Sequence, residues 1–128
     1  MNILDENIFF DQRELLRLRK IHFRQIGVEI GYAGMKDLNG VIPLLHSLHR
    51  STLFTSDQDF YRPDWRHASY CLVYLDVPPD ETAEFIRRFL RHHIFRTQAK
   101  RLGTVIRVRP SGLTWWQLGN EAEHITRW

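Results

Sequence analysis

Only one of the 128 residues is cysteine, Cys71, so no internal disulfide can form and a reducing cytoplasm is the default expectation. No apolar run approaches the ~18 residues that a membrane span requires, so no membrane partner is expected. The opening Met1-Asn2-Ile3-Leu4-Asp5-Glu6 has no basic leader and meets acid at once, which is not the pattern of a signal peptide. Cysteine and histidine never fall at structural-zinc spacing. Gly27, Gly31 and Gly34 do not sit in the strand-to-helix pattern of a phosphate loop. Repeats, low-complexity tracts and linkers are missing too. What remains is 43% hydrophobic and 26% charged, an ordinary globular composition. A chain of 128 residues makes one domain.

One further absence is local. Between Glu84 and Glu121 there is no acid, while Arg87, Arg88, Arg91, Arg96, Lys100, Arg101, Arg107 and Arg109 fall in that stretch. Acids crowd the earlier part: Asp5, Glu6, Asp11, Glu14, Glu29, Asp37, Asp57, Asp59 and Asp64. A net charge of +3 therefore conceals an acidic part and a basic part. The basic part is either a solvated helix face or a surface for phosphate or an acidic partner. Arginine suits the second use, because its planar fork matches phosphate oxygens.

Apolar periodicity predicts strands at 2–4, 21–26, 52–55, 70–75 and 104–109, with a returning hairpin strand over 113–118. The run 70–75 is apolar on both faces and is expected to be central. In the run 104–109, Ile106 and Val108 face inward, Arg107 and Arg109 outward. Helices are expected over 11–20 with Asp11 as N-cap, and from Pro78-Pro79-Asp80 to about Gln98. Between them, Leu38, Val41, Ile42, Leu45, Leu48 and His49 form a helical stripe in which Pro43 marks a start or a kink. The hairpin strand is expected at the sheet edge, residues 1–119 as one domain and residues 120–128 as a loose tail. The alternation implies a mostly parallel sheet with helices on both faces, whose functional site lies beyond the carboxyl ends of the strands.

That rule makes the acids informative. Asp5 ends the first strand, with Glu6 and Asn7 beside it. Asp57 follows the strand 52–55, with Thr55 and Ser56 before it and Asp59 two residues on. Asp37 precedes or opens the second helix. Crowded carboxylates repel one another unless a cation neutralises them, and hard oxygen ligands favour Mg²⁺ or Mn²⁺. Each acid also has a plain reading: a helix cap at Asp37, a surface residue at Glu6, an Asx turn docking Phe60 at Asp57 and Asp59.

Ile3-Leu4-Asp5-Glu6-Asn7 and Leu53-Phe54-Thr55-Ser56-Asp57-Gln58-Asp59-Phe60 together resemble the two signatures of compact PIN-like domains, similar to the VapC-type toxin ribonucleases. The resemblance runs over residues 2–118. It implies a three-layer α/β sandwich, one or two Mg²⁺ or Mn²⁺ ions, RNA as substrate and an antitoxin protein as partner. Carried onto this chain, it makes Asp5, Asp37, Asp57 and Asp59 catalytic. Asp5, Asp57 and Asp59 hold metal, and Glu6, Asn7, Thr55 and Ser56 support them. Arg87, Arg88, Arg91 and Arg107 would draw in the RNA backbone, with Tyr61, Trp115 and Trp116 as stacking surfaces or plain packing. The chain departs from the pattern at Gly40 and Pro43, where an unbroken helix is usual.

Two other readings compete. A receiver-type phosphorelay domain also needs acids after its first and third strands. It further needs a Ser or Thr ending the fourth strand and a Lys ending the fifth, and neither is present. A catalytically silent PIN-like module would bind protein or RNA through the arginine helix or the hairpin. An apolar helix face and the aromatic hairpin would also suit a homodimer. His46 and His49 have the i, i+3 spacing of a metal pair, His92 and His93 point to different helix faces, and Cys71 reads as an inert buried thiol.

Overall fold

The computed structural model describes all 128 residues, Met1–Trp128. The apolar runs become strands as expected: β1 (Asn2–Leu4), β3 (Ser51–Thr55), β4 (Tyr70–Leu75) and β5 (Thr104–Arg109), with a short β2 (Arg24–Gln25). Two antiparallel strands close the chain, β6 (Gly112–Gln117) and β7 (His124–Arg127). The seven lie in one sheet of order β2-β1-β3-β4-β5-β6-β7. β1 to β5 are mutually parallel; β6 runs antiparallel to β5, and β7 antiparallel to β6. The run expected to be central, β4, is the middle strand. This is an α/β fold on a mixed, mostly parallel sheet.

Strand alternation sorts the core into two layers. Leu4, Phe54, Val73, Ile106 and Val108 face one way, where Leu16 and Phe85, Ile86 and Phe89 cover them. Those residues belong to α1 (Phe10–Leu18) and α3 (Thr82–Arg91). Ile3, Leu53, Leu72 and Val105 face the other way, against Val41 and Leu45. Leu45 lies in α2 (Ile42–Leu48), with Pro43 in its first turn, where the missing N–H costs nothing. Helices thus cover both faces. None is long and apolar enough to cross a membrane.

Several local expectations fail for tertiary reasons. Residues 120–128 are no loose tail: β7 pairs with β6, and Trp128 donates from Nε1 to the Arg109 carbonyl at 2.8 Å and packs against Phe85. The edge strand is therefore β7, not β6. Gly112 allows this close approach, with φ +152° and an added Cβ only 2.1 Å from the Thr126 carbonyl oxygen. The helix expected to reach Gln98 stops at Arg91. His92 turns extended and drops Phe95 into the core, stacked on Phe89 with centroids 5.5 Å apart. A separate short helix, α4 (Gln98–Arg101), follows. The N-cap position of α1 is Phe9, which has no side-chain cap bond, rather than Asp11, whose carboxylate takes the Gln12 N–H inside the first turn. The strand expected over 21–26 keeps only two residues, Arg24 and Gln25, which pair with Ile3 and Leu4 of β1. Before α2, residues Asp37–Val41 form a π-helical turn. At the far end of α2, His49 and Arg50 take positive φ to make the sharp turn into β3.

Candidate functional site

In-register pairing of Leu4 with Phe54 brings the ends of β1 and β3 side by side. Asp5 N–H continues the ladder by donating to Phe54 O at 2.9 Å. The next residue of each strand, Asp5 and Thr55, therefore stands on the α2 side of the sheet, in phase with Ile3 and Leu53. Asp5 is only 9% exposed. Its Oδ2 accepts the Thr55 hydroxyl at 2.7 Å, and its Oδ1 accepts the Glu6 N–H at 2.8 Å. The Thr55 hydroxyl in turn accepts the Asp57 N–H at 3.0 Å. One buried hydroxyl thus fastens the two acidic segments together.

Asp57 does what its plain reading expects. Its Oδ1 accepts the Asp59 N–H at 2.9 Å and caps a 3-10 turn, Gln58–Phe60, that lodges Phe60 in the core. Only one of its oxygens is used this way. Asp37 opens the π-helical turn beside it. The Asp37 carboxyl is held above its ordinary range, first by burial, then by the charges of Asp57, Asp5 and Asp59 and a hydrogen bond to Asp57 in its protonated form. Asp5 is pushed up by burial, against the opposing pull of Thr55 and the Glu6 N–H, with Glu6 and Asp57 adding repulsion. The four aspartates from three chain segments lie at the carboxyl edge, near enough for Asp57, Asp5 and Asp59 to act on Asp37 by charge, beside the β1–β3 junction where the sheet reverses its order.

The supporting residues divide. Thr55 is integral to the site. Glu6 spends both carboxylate oxygens on the Gly34 N–H at 3.0 Å and fastens the loop 27–36. Asn7 and Ser56 are exposed, and neither side chain makes a hydrogen bond within the protein.

The arginines divide as well. Arg107 alternates onto the same side as Asp5 and Thr55, where it helps enclose a cavity of about 290 Å³ with Gln58, Asp59, Tyr61, Arg62 and Tyr74. It is held there by Asp76, whose Oδ2 accepts from Nε at 3.0 Å and Nη2 at 2.5 Å. Arg87, Arg88 and Arg91 lie on α3, over the opposite face of the sheet, and none bonds to Asp5, Asp37, Asp57 or Asp59. Arg87 is tied to Glu84 at 2.7 Å, and Arg88 lies over the rings of Phe85 and Trp128. Trp115 is buried against Phe95 and His124, so its ring is packing. Trp116 is half-buried, and the Tyr61 hydroxyl donates to Glu123 Oε2 at 2.7 Å and accepts from the Thr114 hydroxyl at 2.9 Å.

Sequence reasoning overlooked the scaffold behind Asp5. Gln25 Nε2 donates to the carbonyls of Asp5 and Ile8, each at 3.0 Å, so it holds the turn that carries the acid. Arg13 Nη1 donates to Gln25 Oε1 at 3.2 Å, and Glu29 receives Arg13 at 2.8 and 2.5 Å. The Arg13 guanidinium holds the Glu29 carboxyl down at about 2. The available signal was polar residues, Gln12 and Arg13, where the α1 stripe turns inward. Asp76 was also missed, although it ends β4 as Asp5 ends β1.

His46 does not pair with His49. It meets His67 edge-on, with centroids 4.3 Å apart, and Ser69 lies beside both rings. Cys71 is fully buried and its thiol is pushed up to about 12 by burial, an inert core residue.

The donor chemistry of the acidic edge is hard oxygen throughout, which suits Mg²⁺ or Mn²⁺. No three His, Cys, Asp or Glu side chains are gathered into a ready-made metal cage. An ion there would be held by one or two carboxylates and keep several waters, the usual habit of Mg²⁺. No family model, curated protein or solved structure matches the chain.

Proposed function

We propose that the chain is a PIN-like ribonuclease of the toxin type, a three-layer sandwich that hydrolyses RNA phosphodiester bonds with Mg²⁺ or Mn²⁺ in the cytoplasm. The observation that carries the reading is the convergence of Asp5, Asp37, Asp57 and Asp59 on one sheet edge, with two of them held above their ordinary range by burial and each other. Such repulsion is a standing cost that a bound dication removes. Asp5 and Asp57 would hold the ion, with Asp59 beside them. When bound, it supplies charge neutralisation and an acidified water. Asp37, whose carboxyl is raised by burial and by the charges of Asp57, Asp5 and Asp59, is placed to pass a proton to or from the reacting water. Thr55 keeps Asp5 and Asp57 in register. Arg107 and the rings of Tyr61 and Tyr74 flank the acids and would receive the RNA backbone and an unpaired base. Phe9, Phe10 and Leu18 expose apolar surface around α1, of the kind that an antitoxin or a second copy would cover.

The test is cleavage of single-stranded RNA by the purified chain with and without Mn²⁺ or Mg²⁺. Cleavage is expected only with metal, and Asp5→Asn or Asp57→Asn should lower it about 100-fold or more. Cleavage that survives both changes would refute the assignment. One observation favours a second reading, a catalytically silent PIN-like module that binds RNA or protein: the acids form no ready-made cage. Metal-independent RNA retention without cleavage would establish that reading instead.

A further inference from the structure

The opposite end of the sheet holds a second, differently charged site. A cavity of about 590 Å³ opens at the amino-terminal ends of β1 and β2, beside Asn2, His22, Phe23, Arg24, Gln98 and Arg101. Along β1 it lies roughly 10 Å from the acidic edge, three residues at strand rise. No carboxylate lines it.

Arg101 is the unusual member. It is 8% exposed, yet it forms no ion pair with any acid of the chain. Its Nε donates to the Thr52 hydroxyl at 3.1 Å and its Nη1 to the Phe95 carbonyl at 2.8 Å. Both partners are neutral, and burial depresses its pKa. Nη2 has no partner in the protein, and it is not among the buried polar atoms cut off from solvent, so it is the end left to the cavity. Arg24 on the rim is also free of any ion pair. Arg50 reaches the wall through Gln98, whose Oε1 accepts from its Nε at 3.5 Å.

Buried charges are ordinarily paired, because desolvation without a counter-charge is expensive. Here the fixed guanidinium, a second arginine and His22 face one cavity with no internal counter-charge. An anion from solution completes the arrangement, and a planar fork matches phosphate best. We propose that this cavity is a phosphate-binding site. It takes inorganic phosphate or the phosphate of a small monoester, with Arg101 Nη2 at its floor and Arg24 at its rim. The site is independent of the acidic edge and of the reading given to that edge.

The experiment follows the Arg101 Nε–H resonance of the full chain by NMR. Inorganic phosphate and adenosine 5′-monophosphate are titrated separately, with sodium chloride at matched ionic strength as reference. A saturable shift with either phosphate and none with chloride is expected. Saturation by inorganic phosphate alone identifies the free ion as ligand, and tighter binding of the nucleotide identifies a monoester; either supports the site. The Arg24 side chain makes no internal bond, so Arg24→Gln should fold normally and weaken binding about tenfold. Arg101→Lys, which keeps the charge but loses the fork, should weaken it similarly. The proposal is overturned by a shift that chloride reproduces, by no saturation with either phosphate, or by unchanged affinity in Arg24→Gln.

Discussion

Thr55→Val removes one hydroxyl at a position with 0% exposure and nearly keeps the side chain's shape. The hydroxyl makes two bonds, donating to Asp5 Oδ2 at 2.7 Å and accepting from Asp57 N–H at 3.0 Å. A bond to a charged group contributes about 1.5–3 kcal/mol and a neutral one about 1 kcal/mol. The variant should therefore lose about 2–4 kcal/mol of stability at neutral pH, read by urea unfolding. The pH dependence is the sharper arm. Thr55 lowers the Asp5 pKa, against burial, which raises it. Without the hydroxyl the folded pKa of Asp5 rises further, so the variant's deficit is full at neutral pH. It shrinks as pH falls through that folded pKa and Asp5 becomes neutral. Thr55→Ser keeps the hydroxyl and should stay within about 1 kcal/mol of the parent. A Val variant as stable as the parent at neutral pH, or a deficit unchanged down to acid pH, would refute the bridging role.

Asp37→Asn should stabilise the metal-free protein at neutral pH, because the charge it removes is repelled by three neighbours. For a carboxyl with a raised folded pKa the cost is absent below its unfolded value of 3.8 and complete above the folded one, so the gain must fade on acidification; a loss of stability at pH 7 would contradict this. Glu29→Gln acts in the opposite sense. Its carboxyl sits at about 2 instead of 4.5, so its contribution is present above 4.5 and is lost as pH falls toward 2. After allowance for partial exposure, the variant should cost about 1–2 kcal/mol at pH 7 and little near pH 2, measured by denaturant titration. Gly112→Ala should drive β7 off β6, since its Cβ would meet the Thr126 carbonyl at 2.1 Å. A loss of about 1–3 kcal/mol and faster amide exchange across His124–Arg127 are expected, and native exchange there would contradict the packing.

Much of the site was legible because its signals are short-range. An apolar run ending in an acid marks a strand end, and Asp57-Gln58-Asp59-Phe60 carries both its turn and its core anchor within four residues. Period-two alternation gave Arg107 an outward face, and the sheet puts that face on the side of the acids. The three helix arginines could not be placed, because a charge run says nothing about which face of the sheet its helix covers. The break at His92 was invisible for a related reason. No proline or glycine marks it, and Phe95 turns inward to pack against Phe89 and Trp115, which only the folded sheet brings together. Nothing local marks Arg13, Gln25 and Glu29 as partners of the site; Gln25 meets the carbonyls of the turn after β1 only once β2 lies beside β1.

The amino-acid order by itself determined the strands, their parallel alternation with helices, the central place of Tyr70–Leu75, and which acids end which strands. These follow from periodicity and from residue types that act within a few positions. Tertiary structure alone decided that one hydroxyl would tie Asp5 to Asp57, that the last residues would add a strand, and that Arg101 would be buried without a carboxylate. Each of those depends on which distant segment supplies the neighbour, and burial strengthens or strands a polar group only once that neighbour is in place.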